Sequence, residues 1–209
     1  MPKLNKLLDV SQILQFLDLR STNLTDAGLT LLCEGLILCP TLFNLNLAKN
    51  DITVSGIEVF APILYRTGIT ELDLSLNPLG NNGVRCLSEN LWEKVYINNS
   101  ILGLENYNPD KYTHGKKCSL LKLDLSETKM QEIGAYNLFK NLTEFYQLQQ
   151  LILDHNVFEV HKMQTFPTLV KTTRLSMLSL NYCKIGDSGG VLLGESIPQS
   201  SSMIDLRAK

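Results

Sequence analysis

The feature that most constrains this chain is a pattern of leucine and asparagine residues that recurs six times. Segment 42–52, LFNLNLAKNDI, shows it best: apolar residues hold its first, fourth, sixth and eleventh positions, and asparagine holds the ninth. The copies are separated by 28, 27, 51, 28 and 27 residues. A fixed period of this length indicates stacked repeats, and it predicts the architecture before any single helix or strand is assigned. The copies begin at Leu14, Leu42, Ile69, Leu120, Leu148 and Leu175.

Each unit has a strand half and a helical half. In the unit that begins at Leu42, the alternation of Leu45 and Leu47 predicts a short strand with one buried face. Apolar residues spaced by three and four positions follow, and they predict one face of a helix. Gly56 stands between the two halves, and we expect it at the start of the helix, where a side chain would crowd its neighbour.

A single unit could not bury its apolar face alone, so the units must stack and share one core. The strands would then form a parallel sheet on one side, and the helices would cover the other. Because a helix needs more room along the stack than a strand, the stack must curve. The predicted fold is therefore an α/β solenoid shaped like a horseshoe, with parallel strands on the concave side and helices on the convex side.

The ninth position of each unit carries a residue that can bond the backbone where the strand turns inward. The whole pattern resembles the leucine-rich repeat family, and within it the ribonuclease-inhibitor-like subfamily, whose units each contain a true α-helix. The resemblance covers residues 4–206 apart from one interruption. It implies an arc that acts inside cells as a scaffold, inhibitor or sensor, without fixing its ligand. The ninth-position residues are Thr22, Asn50, Asn77, Thr128, Asn156 and Cys183.

The interruption runs from Trp92 to Ser119. Residues 100–104 alternate apolar side chains near the expected register, and the polar residues that follow contain a turn signal at 108–110. Two interpretations stay open: a degenerate repeat whose helix is replaced by a loop, which we favour, and a plain surface insertion. We predict a single domain over residues 1–209, with about six full repeats and partial ends, and expect it to be a fragment of a longer chain.

Composition limits the possible classes of function. A net charge of −2 over 209 residues gives no strong field that would favour nucleic acid or an anionic membrane. The sequence has no run of eighteen apolar residues and no apolar signal core near its start. Five cysteines without a C-x-x-C pair indicate reduced thiols. We therefore predict a cytoplasmic protein that binds no nucleic acid and does not insert into a membrane.

Two motifs suggest chemistry, but neither fits the predicted fold. Segment 186–190, GDSGG, matches the nucleophile segment of chymotrypsin-like proteases, yet Gly189 is the ordinary repeat glycine and the scaffold is not a pair of β-barrels. His155 and His161 fall in different halves of one unit, whereas structural zinc needs four converging ligands. No glycine-rich nucleotide motif occurs. We predict no enzymatic activity, no metal and no cofactor.

The remaining candidate for a binding surface is the concave face, where the third, fifth and seventh residues of each unit point away from the core. Acidic residues occupy its middle, and aromatic or apolar residues flank them. This is the composition of an interface, because large side chains bury area and charges set orientation. The candidate protein-binding residues are Phe16, Asp18, Arg20, Asn44, Asn46, Glu71, Asp73, Lys122, Asp124, Glu127, Asp154, His155, Met177 and Tyr182.

This surface predicts a non-enzymatic scaffold or adaptor that binds a protein partner with a basic or mixed-charge surface. Two alternatives stay open. One is the ligand-sensing part of a multidomain intracellular receptor. The other is a regulator resembling the leucine-rich-repeat activators of the small GTPase Ran, which would need an exposed arginine or an asparagine-rich loop at an edge. Arg66 and Arg85 are available for that role.

Overall fold

The computed structural model describes residues 13–96, 112–145, 147–157 and 165–209. Its main element is one parallel sheet of seven strands, in the order β1, β2, β3, β6, β7, β8 and β9. A separate two-stranded sheet pairs β4 with β5. The strands are β1 (Phe16–Asp18), β2 (Asn44–Asn46), β3 (Glu71–Asp73), β4 (Trp92–Tyr96), β5 (Tyr112–Lys117), β6 (Lys122–Asp124), β7 (Gln150–Ile152), β8 (Met177–Ser179) and β9 (Asp205–Arg207).

The register of the main sheet follows the repeat. Each of the first six of its strands consists of the third, fourth and fifth residues of a unit, and the fourth residues pair with one another across the sheet. Leu45, for example, pairs with Leu72 and is fully buried. The flanking residues of β2, β3 and β6 are half-buried, as expected for a strand with one face toward the core. The predicted strand positions are confirmed.

Helices cover the other side of the sheet, and the core lies between the two layers. Buried leucines from helices and strands form one continuous cluster along the described part of the chain. The predicted curved solenoid of strands and helices is confirmed. Among the described residues, no helix is both long enough and apolar enough to cross a membrane. The helices are α1 (Asp26–Ile37), α2 (Val54–Phe60), α3 (Gly80–Glu89), α4 (Glu132–Leu142), α5 (Phe166–Thr172) and α6 (Gly186–Ser196), with 3-10 helices at Ala61–Arg66 and Ile197–Gln199.

Glycine is needed near the start of α2 because the preceding unit places a side chain there. The Asp26 carboxylate accepts the N–H and hydroxyl of Thr53, at 2.8 and 2.6 Å, and so holds the residue that caps the helix of the next unit. A Cβ on Gly56 would collide with that carboxylate. Crowding at the helix start is thus confirmed, and the crowding group belongs to the neighbouring unit.

A hydrogen-bonded side chain at the ninth position closes the turn after a strand, and in three of the six units it is an asparagine: Asn50, Asn77 and Asn156. The amide oxygen of Asn50 accepts the N–H groups of Thr22 and Leu24, at 3.0 and 2.9 Å. Its amide nitrogen donates to the carbonyls of Leu19 and Leu47, at 2.9 and 3.0 Å. One side chain therefore satisfies backbone groups of two successive units. The ninth-position side chains of later units make bonds of the same kind: Asn77, Thr128, Asn156 and Cys183.

The residue before this position adopts a left-handed backbone conformation in all six units, with φ between 53° and 58°. None of these residues is glycine, so the repeated turn holds residues that carry a side chain in a backbone conformation that glycine adopts more readily. Their side chains form a row along the edge of the sheet where the strands end. The row consists of Ser21, Lys49, Leu76, Glu127, His155 and Tyr182.

The interpretation of residues 92–119 as a degenerate repeat is wrong. Such a repeat would add a strand between β3 and β6, but these two strands pair directly, with Leu72 opposite Leu123. The described part of the interruption forms the antiparallel pair of β4 and β5 instead. Residues 100–104, on which the degenerate repeat was based, lie outside the described residues.

Candidate functional site

A hollow lies in the middle of the concave face, across β2, β3, β6 and β7. Its volume is about 140 Å³. Six of the predicted binding residues line it, so the structure brings this part of the predicted surface together. We call it the central hollow, and it is lined by Asn44, Asn46, Glu71, Leu72, Asp73, Lys122, Asp124 and Ile152.

Hydrogen bonds to the backbone fix the acidic side chains of the central hollow. Oδ1 of Asp73 accepts the N–H of Ser75, and Oδ1 of Asp124 accepts the N–H of Ser126, each at 2.9 Å. Asn46 holds the same turn in its own unit with its amide oxygen. The fifth residue of a unit therefore has a local structural role, which turn-forming aspartate and asparagine commonly have. Among the described residues, nothing bonds the second oxygen of either carboxylate, which is therefore available to a ligand.

The acidic side chains of the central hollow repel one another. Burial raises the pKa of the Asp124 carboxyl, hydrogen bonds from Ser126 oppose the shift, and the nearby charges of Asp73 and Asp154 raise it further. Within the described residues, no ion pair neutralises any of these three aspartates. Ionised Asp124 is therefore destabilised in the folded chain, and a cation brought to the hollow would relieve the repulsion.

The basic side chain of the central hollow is already engaged. Nζ of Lys122 lies 3.8 Å from Oε2 of Glu71, and Asn44 donates to the same oxygen at 2.9 Å. Both ion-pair partners are partly exposed, so this pair contributes little stability. Its main consequence is that Glu71 offsets the positive charge of Lys122. The net character of the hollow is acidic.

Asp154 has a structural role beside the hollow. One of its oxygens accepts from the hydroxyl of Ser179 and the N–H of Asn181, at 2.7 and 2.8 Å. The other accepts from the side-chain amide of Asn181, at 3.1 Å. Both oxygens are therefore committed to the neighbouring unit. Asp154 contributes charge to the surface, but it has less capacity for a direct contact than Asp73.

The first strand carries an exposed pair of predicted residues outside the hollow. Asp18 and Arg20 form an ion pair at 2.9 Å, and the backbone and side chain of Arg20 hold the pKa of the Asp18 carboxyl below its ordinary value. Phe16 is 60% exposed and meets the ring of Phe43 edge-on, with 4.6 Å between centroids. Met177 is half-buried on β8, at the other end of the sheet.

The other predicted residues, Glu127, His155 and Tyr182, belong to the row at the strand ends. The rings of His155 and Tyr182 stack with 4.4 Å between centroids and an angle of 19° between their planes. A second hollow, of about 380 Å³, opens to solvent beside the ring of His155. We call it the edge cavity, and it is lined by Glu127, Lys129, Met130, Gln131, His155 and Val157.

Several lining residues were missed from the sequence. Leu72 was counted only as core, and Ile152 was not chosen, although it is the one apolar residue among the fifth positions of the six units. Nothing in the sequence indicated that Val157 lines a cavity, because it follows the asparagine at a position that the repeat does not constrain. In the described part of the chain, no group of three or more acidic, histidine or cysteine side chains could hold a metal ion.

Comparison with known proteins places these features in a family. A family model described as leucine rich repeat matches residues 10–33, 38–61, 69–88 and 175–194. The ribonuclease inhibitor of Mus musculus is 31% identical over 199 residues, which cover 90% of this chain and 43% of that protein. NACHT, LRR and PYD domains-containing protein 14 of Mus musculus is 29% identical over 195 residues, covering 91% of this chain and 17% of that protein. The chain thus spans less than half the length of either relative.

Among solved structures, internalin C2 of Listeria monocytogenes aligns over 98% of this chain and 76% of its own, with a TM-score of 0.49 and 20% identity. The family assignment comes from the sequence matches together with the repeat register and the asparagine turns described above. On this evidence the chain belongs to the leucine-rich repeat family, with units of the ribonuclease-inhibitor-like kind.

Proposed function

We propose that this chain is a non-enzymatic scaffold or adaptor that binds a protein partner on its concave face. One observation carries the proposal: Asp73 and Asp124 lie side by side in the central hollow, each with one oxygen fixed by the backbone and the other without a hydrogen bond from any described residue. Within the described residues, neither carboxylate has an ion-pair partner. The hollow therefore carries negative charge that a cationic side chain of a partner can pair with.

The electrostatics favour a partner with a basic patch. Burial, and to a lesser extent the nearby charges of Asp73 and Asp154, raise the pKa of Asp124, and an incoming lysine or arginine would offset the part that comes from these like charges. Charges at such a surface act mainly on association rate and orientation. The apolar side chains of Leu72 and Ile152 in the same hollow would contact the aliphatic part of the basic side chain.

The relatives support a protein as the ligand. Ribonuclease inhibitor, by its name, acts on a ribonuclease, which is itself a protein. For this chain a ribonuclease is one defined ligand to test, and the partner's identity is open because the chain spans 43% of that relative. We propose that the chain acts in the cytoplasm, in line with the burial of Cys33, Cys118 and Cys183 as core residues.

The test compares two pairs of charge-neutralising substitutions. Asp73→Asn with Asp124→Asn removes two charges from the hollow and keeps the side-chain oxygen that accepts the turn N–H, as Asn46 does. The control, Glu34→Gln with Glu58→Gln, removes two charges from exposed positions on the helical side. Each protein serves as bait in a matched cell extract, and each is titrated with a ribonuclease at low and high salt.

We expect the wild type and the control to capture the same protein, and the hollow variant to lose it. Binding to the wild type should weaken with salt, because exposed charges are screened. Equal recovery by the hollow variant and the control would contradict the proposal. Because the hollow variant keeps its turn hydrogen bonds, a loss of capture would not reflect unfolding, which circular dichroism checks.

A second candidate is the ligand-sensing part of a multidomain receptor. The match to a protein whose name includes NACHT and PYD domains favours it. A longer open reading frame that encodes such domains beside these repeats would support this candidate, and its absence from transcripts would count against it. The relatives reported above include no regulator of a small GTPase, although Arg66 and Arg85 are exposed, as that alternative requires.

A further inference from the structure

The edge cavity differs in character from the central hollow. Val157 forms part of its wall and is 54% exposed, while Met130 is fully buried at its base. The ring of His155 lines the cavity and stacks on the ring of Tyr182, which is 59% exposed. Large side chains left in water beside a cavity mark a contact surface, because their burial would be favourable.

Buried hydrogen bonds fix the walls of the edge cavity. Asn156, which is 1% exposed, accepts the N–H of Met130 at 3.1 Å. Asn81 accepts the N–H of Gln131 at 2.8 Å from the neighbouring unit. The backbone at Glu127 and His155 is held in the left-handed conformation by the repeated turn. A ligand would therefore meet a preformed site and would lose little affinity to ordering it.

The size and lining of the edge cavity favour an aromatic side chain. Its volume of about 380 Å³ lies within the range of roughly 300–1,000 Å³ found for ligand pockets. The ring of His155 lines the cavity, and aromatic rings pair favourably with one another. Glu127 and Lys129, at the rim, form no ion pair among the described residues and can bond a polar atom of the ligand.

The two sites are close enough to be reached by one partner. Asp124 of the central hollow and Glu127 of the edge cavity are three residues apart in the chain. Their Cα atoms are therefore separated by at most about 11 Å, the reach of three extended residues. A single segment that carries a basic residue and, three positions away, an aromatic residue can span the same distance.

We propose that the edge cavity binds an aromatic side chain of the same protein partner whose basic side chain enters the central hollow. This inference rests on the proposed function. The hollow would set the association rate through charge, and the cavity would hold an anchor that sets the dissociation rate. The partner's epitope is thus defined chemically as a cationic and an aromatic side chain about 10 Å apart.

Three short peptides test the proposal on the whole chain labelled with ¹⁵N. Acetyl-Arg-Gly-Gly-Trp-amide carries both groups, acetyl-Gly-Gly-Gly-Trp-amide only the ring, and acetyl-Arg-Gly-Gly-Gly-amide only the charge. Backbone amide shifts of Lys129, Gln131 and Val157 report on the edge cavity. Those of Ser75 and Ser126 report on the hollow. The matched variants are Val157→Asp, which places a charge in the cavity wall, and Val157→Ile, which keeps an apolar side chain there.

We expect both tryptophan peptides to shift the cavity amides in the wild type and in Val157→Ile, and not in Val157→Asp. The peptide with both groups should bind roughly tenfold more tightly than either single-group peptide, because the second contact becomes intramolecular. If the tryptophan peptides leave the cavity amides unmoved while arginine shifts those of the hollow, the inference fails and the proposed function survives. If neither arginine peptide shifts the hollow amides, the proposal that the hollow binds a cationic side chain fails. The tryptophan peptides then still decide whether the edge cavity binds an aromatic ring.

Discussion

The asparagine that closes the turn of the unit beginning at Leu148 allows a quantitative prediction about stability. Asn156 is buried, and its amide nitrogen donates to the carbonyls of Leu125 and Leu153, at 2.8 and 2.9 Å. Its amide oxygen accepts the N–H groups of Thr128 and Met130, at 3.2 and 3.1 Å. Asn156→Ala would remove these four bonds, and a longer one of 3.3 Å from the hydroxyl of Thr128, from a region that solvent does not reach.

The size of the expected loss in unfolding free energy depends on which backbone groups are left without any hydrogen-bond partner. The carbonyl of Leu125 keeps the hydroxyl of Thr128 as a donor, at 2.9 Å, and that of Leu153 keeps the thiol of Cys183, at 3.2 Å. The N–H groups of Thr128 and Met130 are the two that lose their acceptor. Each buried unsatisfied group costs about 1–3 kcal/mol, so the variant should lose roughly 2–6 kcal/mol.

Urea denaturation followed by circular dichroism measures this loss. Asn82→Ala is the matched control, because Asn82 is exposed on α3 and its replacement should change stability by no more than about 0.5 kcal/mol. A fall in the urea midpoint for Asn156→Ala with an unchanged slope would give the free energy directly. A loss below about 1 kcal/mol would refute the reasoning that this side chain satisfies buried backbone groups.

Three further substitutions test separate parts of the structure by the same assay. Gly56→Ala would drive a methyl group into the Asp26 carboxylate and should cost about 1–3 kcal/mol, whereas Gly190→Ala, with open space around it, should cost nothing. Leu47→Ala should lose about 2–5 kcal/mol through a cavity in the core, and a change near zero would contradict the strand register. Asp124→Asn removes a carboxyl whose raised pKa makes ionisation costly in the folded state. The wild type should therefore lose stability relative to this variant as the pH rises from the ordinary pKa of an unfolded aspartate to the raised pKa of the folded state, and parallel pH profiles would contradict the raised pKa.

Much of the fold could be predicted from the sequence because one period repeats in it. The positions of Leu45 and Leu72 within their units fixed the strands and their pairing, since a slip by one residue would turn every core leucine outward. The β4–β5 pair could not be predicted, because it lies outside the repeat and its residues follow no period. The apolar alternation at residues 100–104 resembled a strand of the sheet and suggested the wrong interpretation.

The candidate site was only partly predictable. The outward direction of Asp73 and Asp124 followed from alternation along the strand, so their position on the concave face could be derived. The hydrogen bonds that commit both oxygens of Asp154 could not, because they depend on the neighbouring unit. The left-handed backbone at His155 could not be predicted either, because a residue in this conformation is usually glycine.

Site-specific photocrosslinking tests the central claim, concave binding of a protein, most directly. A photoreactive phenylalanine analogue replaces Gln150, which is half-buried on the concave face beside Lys122. In a second protein it replaces Glu58, which is exposed on the helical side. We predict that the captured partner crosslinks through position 150 and not through position 58. Crosslinks through position 58 alone would place the partner on the helices and contradict the account.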